Sequence, residues 1–292
     1  MSWPAASRSA SREAASTPTQ LEGEPRADPA GLRRALGLRW WREILYVLAF
    51  YIIYSVVRNM QGSASVSNAH ALHHARDIID IERWLHIFNE RSVQRTFIDY
   101  RGFIEFWNLF YGTFHFFVTI AAMLWLFRRF PERYPKWRNV LASTTAVALA
   151  GFALYPLLPP RLLPASFGFV DTLRVYGSLW SFDSGAMHKI SNQYAAMPSL
   201  HFGWSAWCAL VLITTLPRTW MKVIAVLYPL ATTFSIVVTA NHYWLDAVGG
   251  AVALSIGYGL GVGITDAIAR RRRVLRPVGV PPSRVVDRQN SE

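Results

Sequence analysis

The chain has 292 residues, of which 52% are hydrophobic, 14% aromatic and only 16% charged, and its formal net charge is +12. So apolar and charge-poor a composition excludes an ordinary soluble domain, and the single cysteine, Cys208, excludes a disulfide framework and a thiolate metal site. The apolar residues fall in long blocks with the basic residues clustered between them, a pattern of membrane spans with orientation signals rather than of nucleic-acid binding.

Residues 1 to about 38 are rich in Ala, Ser, Pro and Arg and read as a disordered tail without the apolar core of a signal peptide. Trp40 and Trp41 are interface anchors ahead of a first span over residues 44–57 and its flanks, with Arg42 and Glu43 at the headgroups. In residues 70–97, Ile78, Ile79, Ile81, Trp84, Leu85, Ile87 and Phe88 recur at roughly helical spacing among charges. That pattern predicts a helix in the membrane interface; a small soluble helical hairpin is the alternative. Residues 103–127 form a long aromatic span in which Asn108, Tyr111 and His115, three and four apart, share one face. Polar groups at that depth face a bundle interior, either as interhelical hydrogen bonds or as the lining of a substrate pocket.

The cluster Arg128, Arg129, Arg133, Lys136 and Arg138 precedes a third span, residues 140–158, which ends in Pro159-Pro160-Arg161. A loop over 159–197 carries Arg174, Asp183 and Lys189. The fourth span is 198–216 and the fifth 221–240, with Pro229 as a candidate kink. Asn241-His242 connects it to a sixth, 243–268, which ends at Arg270–Arg273. The expected fold class is therefore all-α: a polytopic membrane helix bundle of about six transmembrane helices with an interfacial helix before the second span. It divides into a cytoplasmic tail 1–38, a membrane-embedded domain 39–269 and a disordered basic tail 270–292. With six spans, the basic clusters fall at alternate ends, which places both termini in the cytoplasm and the loops 58–102, 159–197 and 241–242 outside the cell membrane.

That topology gathers Arg161, Ser199, His201, His242 and Asp246 at the outer ends of the spans. In residues 192–201, Pro198 suits the first turn of a helix. Ser199 and the open N–H groups of that turn make a ready anion seat, and His201 exchanges a proton near neutrality. A capped helix with an incidental histidine is the plain alternative. His242 and Asp246 stand four apart, on one helical face. A carboxylate on one ring nitrogen fixes the tautomer and makes the other nitrogen a nucleophile. A cap, an ion pair or a partial metal site would give the same spacing, but a zinc site lacks a third ligand here.

Taken together, an arginine loop, Ser-x-His at a helix start and His-x-x-x-Asp some forty residues on resemble the type 2 phosphatidic acid phosphatase superfamily, which includes vanadium haloperoxidases and glucose-6-phosphatase. The resemblance covers residues 140–265. It implies that His242 attacks phosphorus, Asp246 orients it, His201 protonates the leaving oxygen, and Arg161 and Ser199 hold the phosphoryl oxygens. Three positions depart from the family pattern: Leu200 replaces a glycine, Leu154 a lysine and Ile236 an arginine. Pro159-Pro-Arg161, Ala196-Met-Pro-Ser-Leu-His201 and Ala240-Asn-His-Tyr243 are similar instead to the bacterial inositol-phosphorylceramide synthase-like branch, which moves a phosphorylated head group between lipids.

The expected function is thus a membrane lipid phosphotransferase or phosphatase acting through a phosphohistidine at the outer face, without a metal or other cofactor. Its partners are a lipid phosphate substrate, an alcohol acceptor and membrane lipids, with no nucleic acid. Asn108, Tyr111, His115 and Lys189 are candidates for the substrate pocket. A simple phosphatase of polyprenyl or diacylglycerol phosphates is the nearest alternative, and a non-enzymatic membrane transporter is an alternative of another class.

Overall fold

The structure is a computed structural model that describes residues 28–60, 67–176 and 194–274. Most of both tails lies outside the described residues, as do Asp183 and the predicted pocket residue Lys189. In chain order the helices are α1 (Pro29–Ala35), α2 (Trp40–Met60), α3 (Asn68–Trp84), α4 (Glu90–Phe97), α5 (Arg101–Arg129), α6 (Tyr134–Leu154), α7 (Thr172–Val175), α8 (Leu200–Thr215), α9 (Thr219–Val238) and α10 (Trp244–Val274), with short 3₁₀ turns at Pro160–Leu162 and Ala165–Phe167. Among the described residues the only β pairing is one isolated parallel bridge, Leu157 to Ala195. The molecule is an all-α membrane helical protein.

Helices occupy all six stretches expected to span. Among the described residues, Arg101–Arg129, Thr219–Val238 and Trp244–Arg272 are by themselves long and apolar enough to cross a membrane. Their outer faces carry stripes of exposed apolar side chains, such as Phe116, Phe117 and Ile120 on α5 and Val248, Val252 and Ile256 on α10. Contiguous apolar surface of this kind is what lipid covers. At 16 residues α8 is the short one. At 1.5 Å per residue it reaches only about 24 Å against the roughly 30 Å of a hydrocarbon core. The chain leading into it, residues 194–199, is not helical and folds inward, so α8 begins inside the bundle.

Several boundaries differ from expectation. Residues 29–35, assigned to the disordered tail, are helical because Asp28 caps the N–H groups of Ala30 and Gly31 at 2.9 Å and Pro29 suits the first turn. Glu43 is buried between α2 and α6, bonded to Arg138 at 2.7 Å and to the Tyr134 hydroxyl at 3.1 Å. The third span ends at Leu154 rather than 158, and Pro156 to Pro159 continue as extended chain. The single interfacial helix of residues 70–97 is two helices, α3 and α4, broken after Trp84 by a turn with His86 in the left-handed region (φ 59°). Nor does α3 merely lie on a surface. Ala71, Ala75, Ile78 and Ile79 are buried against Leu157, Leu158, Tyr194, Ala196 and Tyr243. Burial of each isoleucine contributes about 1.5–3 kcal/mol. Only Ile81, Trp84 and Leu85 keep the exposed apolar face expected there.

Small residues bring α6 and α10 into backbone contact. A Cβ on Gly261 would lie 2.5 Å from Val140 Cα, and one on Gly257 would strike Thr144. Gly151 and Gly250 do the same for the chain entering α8, the first against Pro198 and the second against Ser199 O. This is the small-x-x-x-small packing used where no hydrophobic drive separates helix from lipid. It clamps the start of α8 between α6 and α10.

Candidate active site

Three chain segments meet where α8 and α10 begin. The backbone bonds that fix them are Leu158 N–H to Ala71 O at 3.2 Å, Arg161 N–H to Ala240 O at 2.8 Å and Ser199 N–H to Asp246 O at 2.9 Å. The Tyr243 hydroxyl adds a bond to Leu158 O at 3.0 Å. The turn that delivers His242 is a left-handed helix stop. Ala240 takes φ 54°, its N–H bonds Val237 O at 2.9 Å, and Asn241 N–H bonds Ile236 O at 2.9 Å.

His242 therefore stands ahead of α10 rather than on its face, correcting the expected helical pairing. The contact with Asp246 forms because the carboxylate folds back over the helix start. Asp246 Oδ2 accepts from Tyr243 N–H at 2.9 Å and lies 3.1 Å from His242 Nδ1. The same Nδ1 lies 2.9 Å from Ala196 O. A carbonyl oxygen can only accept, so Nδ1 carries the hydrogen and Nε2 of the neutral ring holds the lone pair. His242 is 3% exposed and Asp246 wholly buried, so little water competes for these bonds. Ala196 O is a site group that no side-chain pattern could have indicated.

His201 lies in the first turn of α8 with its ring centroid 5.5 Å from that of His242. Tyr111 stacks on His201 at 4.2 Å, and His115 meets it edge-on at 4.3 Å. Two of the three polar residues predicted to share a face of α5 thus line the site, with His115 Nδ1 donating to Tyr111 O at 3.0 Å. Asn108 is turned to other work. Its Nδ2 donates to Thr172 O at 3.0 Å and its Oδ1 accepts from the Thr172 hydroxyl at 2.9 Å, which latches α7 to α5.

Pro198 does not open α8, because Ser199 is its N-cap. The Ser199 hydroxyl is buried, not outward-facing, and accepts from Phe202 N–H at 3.4 Å, which leaves its own hydrogen to donate. Among the described residues no acceptor meets the N–H groups of Leu200 and His201. Arg161 Nη1 donates to Asp171 Oδ2 at 3.0 Å. Its buried Nε has no acceptor among the described residues. A buried guanidinium N–H without a partner can donate to an anion's oxygen. Leu154 is 81% exposed and Ile236 is buried against Tyr111 and Phe202, so neither position brings charge to the site.

Among the described residues no group of three His, Cys, Asp or Glu side chains is arranged to hold a metal ion. A cleft of about 300 Å³ opens beside α3 and α4, lined by Arg83, Phe88, Arg91, Ser166 and Phe167; it contains none of the predicted site residues. The sequence reading missed Ala196, Asp171, Thr172 and two buried carboxyls, Glu82 and Glu90, whose oxygens reach the first N–H groups of α10. For Glu82 the available signal was its place four and three residues after Ile78 and Ile79, on the buried face of α3.

No curated protein and no solved structure matches the chain. Residues 76–260, well over half of its length, match the family described as the PAP2 superfamily, and they contain Arg161, Ser199, His201, His242 and Asp246, so the chain belongs to the PAP2 superfamily.

Proposed function

We propose that this protein is a multi-pass membrane enzyme of the cell membrane that transfers a phosphoryl or phosphorylated head group from a lipid through a phosphohistidine on His242, at a site facing outward with both termini in the cytoplasm. Membership of the PAP2 superfamily supports phosphatase or phosphotransferase chemistry. The observation that supports a phosphohistidine is the pair of acceptors on His242 Nδ1, which leaves Nε2 as the nucleophile. Nε2 attacks phosphorus, the P–N bond forms and the P–O bond to the leaving group breaks. Protonated His201 gives its proton to the departing oxygen. An acceptor hydroxyl, from water or an alcohol, then loses its proton to His201 as its oxygen attacks, and the P–N bond breaks. Asp246 balances the positive charge that the ring carries in between. Ser199, Arg161 and the first N–H groups of α8 hold the phosphoryl oxygens.

Head-group transfer from a phosphodiester is the finer reading. Uncharged side chains at Leu154 and Ile236, and an Arg161 already shared with Asp171, suit a singly charged diester better than a monoester dianion. Tyr111 and His115 beside His201 offer a polar lining for an alcohol acceptor.

The test is to incubate purified protein with phosphatidic acid and phosphatidylinositol carrying a radiolabelled phosphate, with and without inositol. The reading expects an acid-labile, alkali-stable phosphoprotein that is absent from H242A, and a phosphorylated alcohol when the acceptor is present. A phosphoprotein that persists in H242A overturns it. Vesicle uptake of substrate that survives the same substitution would instead establish a transporter.

A further inference from the structure

An α-helix opens with four N–H groups that lack intrahelical acceptors. In α10 each of the four is taken. Tyr243 N–H donates to Asp246 Oδ2 at 2.9 Å, Trp244 N–H to Glu90 Oε1 at 3.3 Å, Leu245 N–H to Glu82 Oε1 at 2.8 Å and Asp246 N–H to Tyr243 O at 3.2 Å. Glu82 comes from α3 and Glu90 from α4, and both side chains are 0% exposed. Each has a second oxygen, Oε2, that is buried without a partner among the described residues. The two carboxyls lie close enough to hydrogen-bond one another. Two ionised carboxylates side by side and out of water would be strongly unfavourable. One proton held between the two carboxyls removes a charge and supplies a donor where both lack one.

We propose that Glu82 and Glu90 share one proton and, as a carboxyl–carboxylate pair, act as positioning residues that hold the start of α10, and with it His242 and Asp246, against α3 and α4. Burial first, and then the neighbouring Glu90, pushes the Glu82 carboxyl up to about 10, which makes Glu82 the proton's holder at neutrality. The titratable groups acting on it are Glu90 from α4 and Asp246 from α10, with the Tyr243 hydroxyl sensing the same carboxylates. A carboxyl whose folded value is raised contributes stability that is whole below its unfolded value and is lost as pH climbs through the folded one. The start of α10 should therefore loosen in alkali.

The activity arm rests on the assignment of His242 and Asp246 as the reacting pair; the stability arm does not. The experiment uses the full chain in detergent and compares wild type with E82Q, E82A and E90A. The melting temperature is followed from about pH 5 to 10, and kcat and KM are measured on the labelled lipid. A glutamine at position 82 keeps an acceptor for Leu245 N–H and offers its amide N–H where the shared proton was. E82Q should therefore rescue what E82A loses: its melting temperature at neutrality should match wild type, and the wild-type fall in alkali should be absent. E82A and E90A should lose at least about tenfold in kcat with KM little changed, the mark of misplaced reacting groups. E82Q as impaired as E82A, or a fall in alkali as steep in E82Q as in wild type, overturns the shared proton. Should E82A fail to accumulate, the pH profile of E82Q alone decides. A loss of the phosphohistidine reading would show as a phosphoprotein in H242A and would leave the melting profiles untouched.

Discussion

Replacing Asp246 by asparagine tests how the tautomer of His242 is set. Where a carboxylate alone holds the histidine of a hydrolytic triad, the amide replacement costs about 10⁴ in turnover because the ring flips to the wrong tautomer. Here Nδ1 has a second acceptor, Ala196 O at 2.9 Å, closer than Asp246 Oδ2 at 3.1 Å. That carbonyl keeps the hydrogen on Nδ1 whatever stands at position 246. What D246N removes is the charge facing the ring. A hydrogen bond to a charged group contributes about 1.5–3 kcal/mol against about 0.5–1.5 for a neutral one. The difference, roughly 1–1.5 kcal/mol, is about tenfold in rate. The expected loss is therefore about tenfold in the rate of phosphoprotein formation, measured by quenched flow on labelled phosphatidic acid. The amide nitrogen would also occupy the place of Asp246 Oδ1, which is buried without a partner. An unmet buried donor costs about 1–3 kcal/mol, so the melting temperature should fall. A loss near 10⁴-fold in protein that remains folded would refute the two-acceptor argument.

Three further outcomes are expected. H201A should lose roughly 10²–10⁴-fold, the usual share of a general acid, and less on lipids or aryl phosphates with good leaving groups; equal losses across leaving groups would remove His201 from that role. A cysteine at exposed Asp80 should react with an impermeant thiol reagent in intact cells and one at exposed Thr219 should not, with the buried native Cys208 contributing no background; the reverse labelling inverts the topology. Gly261→Ala should lower the melting temperature through overpacking of about 1–3 kcal/mol against Val140, whereas Gly259→Ala, which meets nothing within 4 Å, should be silent.

The parts of this site legible in the sequence were those that local spacing controls. Ser199 and His201 share one turn, and His242 and Asp246 are separated by four residues, so each pair meets whether it sits on a helix or folds over its start. Long-range geometry was legible only as coarse depth, from the alternation of basic clusters. The reassignments came from partners far along the chain. Asn108 looked like a pocket residue because the sequence does not show Thr172, 64 residues on, answering both halves of its amide. Glu82 and Glu90 do not stand out among the charges of residues 70–97 because their acceptor roles are to N–H groups 163 and 154 residues away. Backbone groups such as Ala196 O leave no trace in residue types.

The crowded start of α10 also fixes a direction of approach. A helix N-terminus ordinarily draws anions toward its axis, but here Glu82, Glu90 and Asp246 already lie across it. On the proposed function, a negatively charged lipid would be repelled by the Glu82–Glu90 pair and Asp246 and would come to His242 from the α8 side, past His201 and Ser199. Donor and acceptor would then use one doorway in turn. The first product would have to leave before the second substrate could enter, so the proposed transfer would be double-displacement in kinetics. Two successive in-line displacements, the second from the face the first leaving group vacated, would each invert phosphorus and together return it to its original handedness, and a lipid with a chiral phosphate would carry that record into the product.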